Sequence, residues 1–133
     1  MISSIFTGYL VAPRVLADEP IVKRPLNIQA ETRRFLQQSM QKVVNQGTGQ
    51  RVKRIKDIKI YAKTSTAQTS SLDKEEMGTE FLAHGWFVSY MVYNDERPLT
   101  LVILVEHANS SRVSAGLAAQ FLGEYKKMID AKN

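Results

Sequence analysis

A lysine and three hydroxyl residues lie side by side in the middle of the chain, as Lys63-Thr64-Ser65-Thr66. Apolar and polar residues alternate just before them, over 58–62, and this period of two predicts a half-buried strand. Because successive side chains of a strand point to opposite faces, Lys63 and Ser65 share one face and Thr64 and Thr66 the other. An ammonium group, hydroxyls and backbone N–H groups at a strand end can hold a carboxylate and polarise a carbonyl. Taken alone, the pattern is also typical of a polar edge strand that runs into a loop.

The sequence around this run resembles a known family in four places. Residues 60–68 resemble the third active-site motif, Lys-Thr-Gly-Thr-Ala-Gln, of the penicillin-binding protein transpeptidases. Residues 84–90 and 99–106 resemble the two strands that follow the motif in that family, and residues 40–49 resemble the helix and turn that precede it. The resemblance runs from about Thr7 to the C-terminus and is closest to the class B, elongation-type enzymes. It implies that the chain is the C-terminal part of a transpeptidase domain.

The resemblance also implies a function and a set of site residues. The implied activity is that of a peptidoglycan D,D-transpeptidase, which cross-links stem peptides through an acyl-serine intermediate, is acylated by β-lactams and needs no metal or organic cofactor. Its place would be the cell envelope, at the periplasmic face of the inner membrane. In this reading Lys63 holds the substrate carboxylate and tunes proton transfer at the serine, while Thr64 and Thr66 hydrogen-bond the carboxylate. The backbone N–H of Thr66 would form half of the oxyanion hole. Lys63 and Thr66 are then the candidate catalytic residues, and Ser65 completes the substrate-binding set.

Ser65 departs from the family pattern, which has glycine at this position. On the Lys63 face, a glycine leaves room for the nucleophile's helix and the acyl group to approach the strand. A serine adds atoms there, together with a hydroxyl that competes for the same partners. An engineered substitution, a degenerate enzyme and a shifted strand each account for it. A non-catalytic, transpeptidase-like interaction module is therefore one alternative function.

The other two motifs of the family are missing from their expected places. Ser-x-x-Lys occurs at Ser39–Lys42, within a predicted helix, and at Ser71–Lys74, in a loop after the lysine run. Neither fits the family nucleophile, which lies far before Lys-Thr-Gly-Thr, and Ser-x-Asn occurs nowhere in the chain. The isolated chain is therefore predicted to be inactive, with the preceding part of the transpeptidase domain as its partner.

Composition limits the remaining classes of function. The 133 residues suit one domain, 1–133, and no apolar run approaches the ~20 residues that a membrane span needs. The absence of cysteine excludes disulfides, thiol catalysis and zinc–thiolate sites. The two histidines, His84 and His107, are expected to make hydrogen bonds at strand ends rather than to bind zinc.

The net charge of +5 is concentrated in a basic segment, 51–63. Such a ribbon of lysine and arginine can contact phosphates, which makes nucleic-acid binding a second alternative function. No nucleic-acid-binding motif accompanies the segment, and Tyr61 is the only aromatic residue among its charges. A solvent-exposed segment that leads into the predicted strand fits this pattern better.

Hydrophobic periodicity predicts an α+β fold in which three sequential antiparallel strands are flanked by helices. The first 26 residues are expected to be irregular or weakly extended. The third strand, an almost continuous apolar run, is expected to be central and covered on both faces. Strands and helices from outside this segment would complete the sheet, so the isolated chain is expected to self-associate, exchange strands or be marginally stable.

The element boundaries and buried faces follow from the same patterns. A helix is expected at 28–45, capped by Asn27 and ended by a left-handed Gly47, and another at 111–130, capped by Asn109, Ser110 or Ser111. The strands are expected at 57–66, 84–93 and 99–106, with a loop at 69–79. The buried stripes are Phe35, Leu36, Met40, Val43 and Val44 on the first helix, and Val113, Leu117, Phe121, Tyr125 and Met128 on the second.

Overall fold

The computed structural model describes residues 2–53, 55–70, 74, 77–94 and 96–132. The predicted α+β class is confirmed, and each predicted strand is present within two residues of its expected ends. Of the predicted loop at 69–79, residues 71–73 and 75–76 lie outside the described residues. The helices are α1 (Ile2–Thr7), α2 (Ala30–Gln46) and α3 (Ser111–Asp130), and the strands are β1 (Tyr9–Val11), β2 (Lys23–Pro25), β3 (Ile58–Ala67), β4 (His84–Tyr93) and β5 (Arg97–Val105).

The main sheet has three antiparallel strands in the order β3-β4-β5, as the sequence predicts. Its register pairs Lys63 with Val88 and Val88 in turn with Val102. The strands β1 and β2 form a separate two-stranded sheet. Their presence, and that of helix α1, corrects the expectation of an irregular first segment, since Pro13 and Pro20 interrupt only the connection between β1 and β2.

One face of the main sheet packs against α3 and is called the core face. Phe87 at its centre is fully buried. The buried hydrophobic core that includes Phe87 draws residues from the sheet, from α3 and from the segment before β3. Its members are Ile58, Ile60 and Ala62 from β3, Phe87, Met91 and Tyr93 from β4, Ala115, Ala118, Leu122 and Ile129 from α3, and Val44 and Val52 from the segment before β3.

The opposite face, called the open face, carries Tyr61 and Lys63 of β3, Val88 and Tyr90 of β4, and Val102 of β5. Helix α1 covers part of it. The ring of Phe6 stacks on Tyr90 with centroids 4.1 Å apart and tilts against Tyr61 at 4.8 Å. Gln37 Nε2 of α2 donates to the Ile5 carbonyl at 3.0 Å, which ties α1 to α2.

The face of α3 that meets the sheet differs from the predicted one. Of the predicted stripe, only Tyr125 packs against the core, whereas Val113, Leu117, Phe121 and Met128 are 44–49% exposed. The buried positions are small ones such as Ser114, Ala115 and Ala118, together with Leu122. Small side chains let the helix approach closely: a Cβ on Gly85 of β4 would lie only 2.6 Å from the Ser110 carbonyl oxygen.

The prediction that the third strand is central and covered is wrong. In the described sheet β5 is an edge strand that pairs only with β4, and Leu99, Val102 and Leu104 are 38–54% exposed. Leu101 and Ile103 pack against the core. The apolar run therefore has one covered face, and its other face and its outer edge are open.

The predicted caps are right at α3 and wrong at α2. The Ser110 hydroxyl accepts a hydrogen bond from the Arg112 N–H at 3.2 Å. By contrast, α2 starts at Ala30 after Gln29, which makes no side-chain cap, so Asn27 has no capping role. Gly47 is extended (φ −109°) rather than left-handed, although its N–H still bonds to Val43 O at 3.1 Å. Phe35 of the predicted stripe is 66% exposed, since it points away from the side of α2 that carries Met40 and Val44.

Candidate active site

The Lys-Thr-Ser-Thr run occupies the last half of β3, and its faces are those that the sequence predicts. Thr64 is buried on the core face, whereas Lys63 and Ser65 are exposed on the open face. Thr66 is exposed near the end of the strand. The register continues without a bulge through Ser65, which pairs with Trp86. A serine at this position is thus accommodated without shifting the strand relative to β4.

The backbone N–H groups of Thr64 and Thr66 point away from β4. Pro98 of β5 has no N–H and lies opposite Val92 of β4. This pair is therefore one of the alternate pairs that form no backbone hydrogen bonds between β4 and β5. The N–H direction alternates along an antiparallel strand. The N–H groups of Val92 and of every second residue before it in β4 therefore point toward β3. Their partners in β3 are the odd-numbered residues.

The Thr64 carbonyl accepts a hydrogen bond from the Lys63 ammonium group, which fits a carbonyl that points to the same side as the Thr64 N–H. The N–H groups of Thr64 and Thr66 therefore line the outer edge of the sheet, where β3 pairs with no further strand among the described residues. Outward N–H groups at a strand end are the donors that an oxyanion or a carboxylate requires.

Thr64 has a partner that sequence reasoning did not identify. Its hydroxyl hydrogen-bonds the hydroxyl of Thr48, which lies in the turn between α2 and the segment that leads to β3. Between two hydroxyls, one donates and the other keeps a free O–H. The pair consequently retains one donor for a further acceptor. The only sequence signal for Thr48 is its place between Gly47 and Gly49, and that signal gives no indication of a contact sixteen residues away.

Lys63 borders an apolar groove of about 730 Å³ on the open face. Helices α1 and α2 form its walls, and β4 and β5 form its floor. The polar side chains at its margin are Ser3, Ser39, Lys63 and Thr100; the apolar ones are Ile2, Ile5, Leu36, Met40, Val43, Val88 and Val102. The groove lies directly beside the motif and is wide enough for side chains from another segment.

The two Ser-x-x-Lys matches do not form a nucleophile site within the described residues. Ser39 lies on α2 and lines the groove, but Lys42 is exposed on the same helix. Ser71 lies outside the described residues.

The basic segment does not form one continuous surface. Arg51 faces α3, with a guanidinium nitrogen 3.0 Å from where a Cβ would stand on Gly116. Lys53 donates to the Asn45 carbonyl at 3.2 Å, and Lys63 lies on the opposite side of the sheet from α3. Arg54 lies outside the described residues. This division of charge disfavours the nucleic-acid alternative.

The histidines lie at strand ends, as the sequence predicts. His84 Nδ1 accepts a hydrogen bond from the His107 backbone N–H at 3.0 Å, and the two rings meet edge to face at 4.8 Å. Among the described residues no group of three or more acidic or histidine side chains could hold a metal ion, and no helix there is long and apolar enough to cross a membrane.

Comparison with known proteins decides the family. A family model described as the penicillin binding protein transpeptidase domain matches residues 1–123. The chain belongs to the penicillin-binding protein transpeptidase family. The resemblance drawn from Lys63-Thr64-Ser65-Thr66 and its surroundings is therefore confirmed.

A solved structure also resembles the chain. It is the penicillin-binding protein PBP2 of Helicobacter pylori, a class B elongation protein, determined in complex with MreC. The two are 27% identical with a TM-score of 0.70, over 94% of this chain and 23% of that chain. This chain thus spans less than a quarter of its structural neighbour. A comparison with curated proteins finds no match.

Proposed function

We propose that this chain is the C-terminal part of a class B D,D-transpeptidase domain and supplies the strand that binds the acyl donor. The observation that carries the proposal is the edge strand β3, on which the family's third motif ends with outward N–H groups at Thr64 and Thr66. The substrate class is a peptidoglycan stem peptide with a terminal carboxylate, and a β-lactam is its acylating analogue. The proposed location is the periplasmic side of the inner membrane.

Three residues of the motif, Lys63, Thr64 and Thr66, have roles that their positions support. Lys63 brings a cation to the open face, beside the groove, where it attracts a carboxylate and favours proton transfer at an approaching serine. The exposed Thr66 hydroxyl, at the end of the strand, donates to that carboxylate. Thr64 is buried on the core face and bonds to Thr48, so its role is to fix the strand end. The outward N–H of Thr66 donates to the oxyanion that forms as the serine attacks the carbonyl.

The nucleophile comes from another segment in this proposal. Acyl transfer requires an activated serine and a second oxyanion donor. This sequence has no Ser-x-Asn, and neither of its two Ser-x-x-Lys matches lies at the family's position far before the lysine run. The groove beside Lys63 is the surface on which a helix that carries them would pack. The chain by itself is therefore expected to be inactive, and an assembled domain is expected to be active.

The test is acylation by a fluorescent penicillin, followed by intact mass measurement. The chain alone should stay unlabelled. When the chain is joined or mixed with a transpeptidase segment that carries Ser-x-x-Lys and Ser-x-Asn, a covalent adduct should form on that segment. Lys63→Gln should lower the labelling rate by about 100-fold or more, the scale expected for a lost catalytic proton-transfer group. Lys42→Gln is the matched control, since Lys42 is exposed on α2, and should leave the rate unchanged.

Ser65 keeps a second function open, that of a non-catalytic module. Its hydroxyl occupies the Lys63 face where the family pattern leaves space. In the assembled domain, Ser65→Gly should raise the labelling rate if the added atoms hinder acylation. If neither the original chain nor the Ser65→Gly variant supports labelling in a folded assembly, the non-catalytic module is the correct function and the transpeptidase proposal fails.

A further inference from the structure

The turn that links α2 to the segment before β3 is held in a fixed position. The N–H groups of Gly47 and Gly49 both donate to the Val43 carbonyl, at 3.1 and 3.0 Å. A side chain would crowd that carbonyl oxygen, since an added Cβ would lie 3.0 Å from it at Gly47 and 3.2 Å from it at Gly49. The turn therefore folds back onto the end of the helix, with Thr48 between the two glycines.

The hydrophobic core anchors this turn on both sides. Val44 in the last turn of α2 and Val52 in the segment after the turn are buried members of the core. Because both neighbouring segments are packed, the turn cannot shift without moving core side chains. Thr48 itself is exposed, so burial does not account for its position, and its partner is Thr64.

Through Thr48, the anchored turn is connected to the catalytic strand. The Thr48 hydroxyl hydrogen-bonds that of Thr64, which is buried on the core face of β3 between Lys63 and Ser65. Among the described residues, backbone pairing restrains this part of β3 from the β4 side alone. The bond to Thr48 therefore adds a second restraint, from a part of the chain that is itself fixed.

The same turn also connects the motif to the groove beside Lys63. Val43, whose carbonyl holds the turn, lines that groove together with Met40 of α2. In the proposed function, this groove receives the helix that carries the nucleophile. The bond between Thr48 and Thr64 therefore sets the position of the motif relative to the surface on which the nucleophile's helix packs.

We propose that Thr48 is a positioning residue for acylation, an inference that rests on the proposed transpeptidase function. Its hydroxyl holds the Thr64 side chain in one rotamer and thereby fixes the end of β3, so that the Thr66 N–H keeps the direction that an oxyanion donor requires. Thr48 contacts neither the substrate nor the reacting atoms in this role. It acts through Thr64, and a small misplacement of a catalytic group is enough to slow a reaction about 100-fold.

The rate of acylation by a fluorescent penicillin tests this role in the assembled domain. Thr48→Val removes the hydroxyl and keeps the branched shape, and it should lower the acylation rate constant about 10- to 100-fold without lowering the final amount of adduct. Thr48→Ser keeps the hydroxyl and should stay within about threefold of the original rate. Thr7→Val is the matched control, because it removes a hydroxyl that donates to the Ser3 carbonyl at 3.0 Å on α1, and it should leave the rate unchanged.

A double variant tests whether Thr48 acts through Thr64. If it does, Thr48→Val should have no further effect on the acylation rate in a chain that already carries Thr64→Val. Rate losses that multiply in the double variant would show two independent effects and would overturn the proposal.

Side-chain NMR of the chain alone gives a readout that needs no acylation. The three-bond couplings of the Thr64 methyl group report its χ1 angle. They should indicate one rotamer in the original chain and in Thr48→Ser, and an average over rotamers in Thr48→Val. A single, unchanged rotamer in Thr48→Val would contradict the positioning role.

The outcomes separate this inference from the proposed function. If the original chain supports labelling and Thr48→Val supports it at the same rate, Thr48 has no positioning role and the transpeptidase function stands. If Thr48→Val and Thr48→Ser slow acylation equally, the hydroxyl is not the cause and the inference fails in the same way. If a folded assembly that contains the original chain is not labelled at all, the proposed function fails and this inference fails with it.

Discussion

Two buried serines on the core side of the molecule differ in whether they are hydrogen-bonded. Ser89 Oγ of β4 has no partner in the part of the chain that the structure describes, and Ser89 is fully buried. Ser114 of α3 is also fully buried, but its hydroxyl donates to the Ser111 carbonyl at 2.9 Å. Because an unpaired buried hydroxyl costs about 1–3 kcal/mol, Ser89→Ala should stabilise the protein by roughly 1 kcal/mol. Ser114→Ala should destabilise it by a similar amount. Urea unfolding at fixed protein concentration measures both changes, and a loss of stability in Ser89→Ala would contradict the assignment.

Gly85 is a second position where one atom decides the packing. An added Cβ would meet the Ser110 carbonyl oxygen at 2.6 Å, at the start of α3, where backbone cannot move away without shifting the helix. Gly85→Ala should therefore cost about 1–3 kcal/mol, the range for overpacked cores. Gly123→Ala is the control, since nothing lies within 4 Å of its Cβ position, and in a helix interior it should stabilise by up to about 1 kcal/mol. Equal melting temperatures for the two variants would show that α3 does not approach β4 this closely.

At the scale of elements, an ionic cluster fastens the end of α3 to the sheet. Lys126 Nζ lies 2.6 Å from Asp130 Oδ2 and 3.1 Å from Asp57 Oδ2. The Tyr93 hydroxyl of β4 donates to Asp130 Oδ1 at 2.5 Å. Hydrogen bonds from Lys126 and Tyr93 hold the pKa of Asp130 below its usual value. Hydrogen bonds to Asp130 in turn raise the pKa of Lys126 and of Tyr93.

The stability of the protein should therefore fall at both ends of the pH scale. The lowered pKa of Asp130 stabilises the fold above about pH 4, the ordinary carboxyl pKa, and this stability is lost as the pH falls through the folded-state pKa. The raised pKa values of Lys126 and Tyr93 stabilise the fold below about pH 10, and this stability is lost as the pH rises through their folded-state pKa values. Unfolding free energies measured across this range in the original chain and in Asp130→Asn should differ most at neutral pH and converge in acid. Parallel curves would show that the cluster does not stabilise α3.

At the scale of the whole molecule, the sequence predicts where the helices and strands begin and end better than it predicts which of their faces and edges are buried. The alternation in β3 and the apolar run of β5 are local patterns, so both strands are placed within two residues. The wrong face of α3 has a different cause. Hydropathy ranks Leu117 and Phe121 above Ala115 and Ala118, but close approach to β4 selects the small residues.

The environment of β5 and the partner of Thr64 depend on parts of the molecule that are distant in sequence. An apolar run is equally consistent with a central strand and with an edge strand, so β5 could not be placed from its own residues. The Thr48–Thr64 contact spans sixteen positions and has no periodic signal. By contrast, the motif at 63–66 could be recognised because its residue types and order are themselves the signal.

Hydrogen exchange across the sheet tests the fold and the active-site geometry together. β4 is paired on both sides, so its amides should exchange most slowly. In β3, protection should alternate: the Lys63 and Ser65 amides bond to β4 and should be protected, while the Thr66 amide faces the outer edge and should exchange at least tenfold faster than Ser65. The Val102 amide, on the outer edge of β5 in the described sheet, should exchange faster than that of Leu101, which points toward β4. If the Ser65 amide exchanged faster than the Thr66 amide, the Thr66 N–H would point toward β4. It could then not serve as an oxyanion donor.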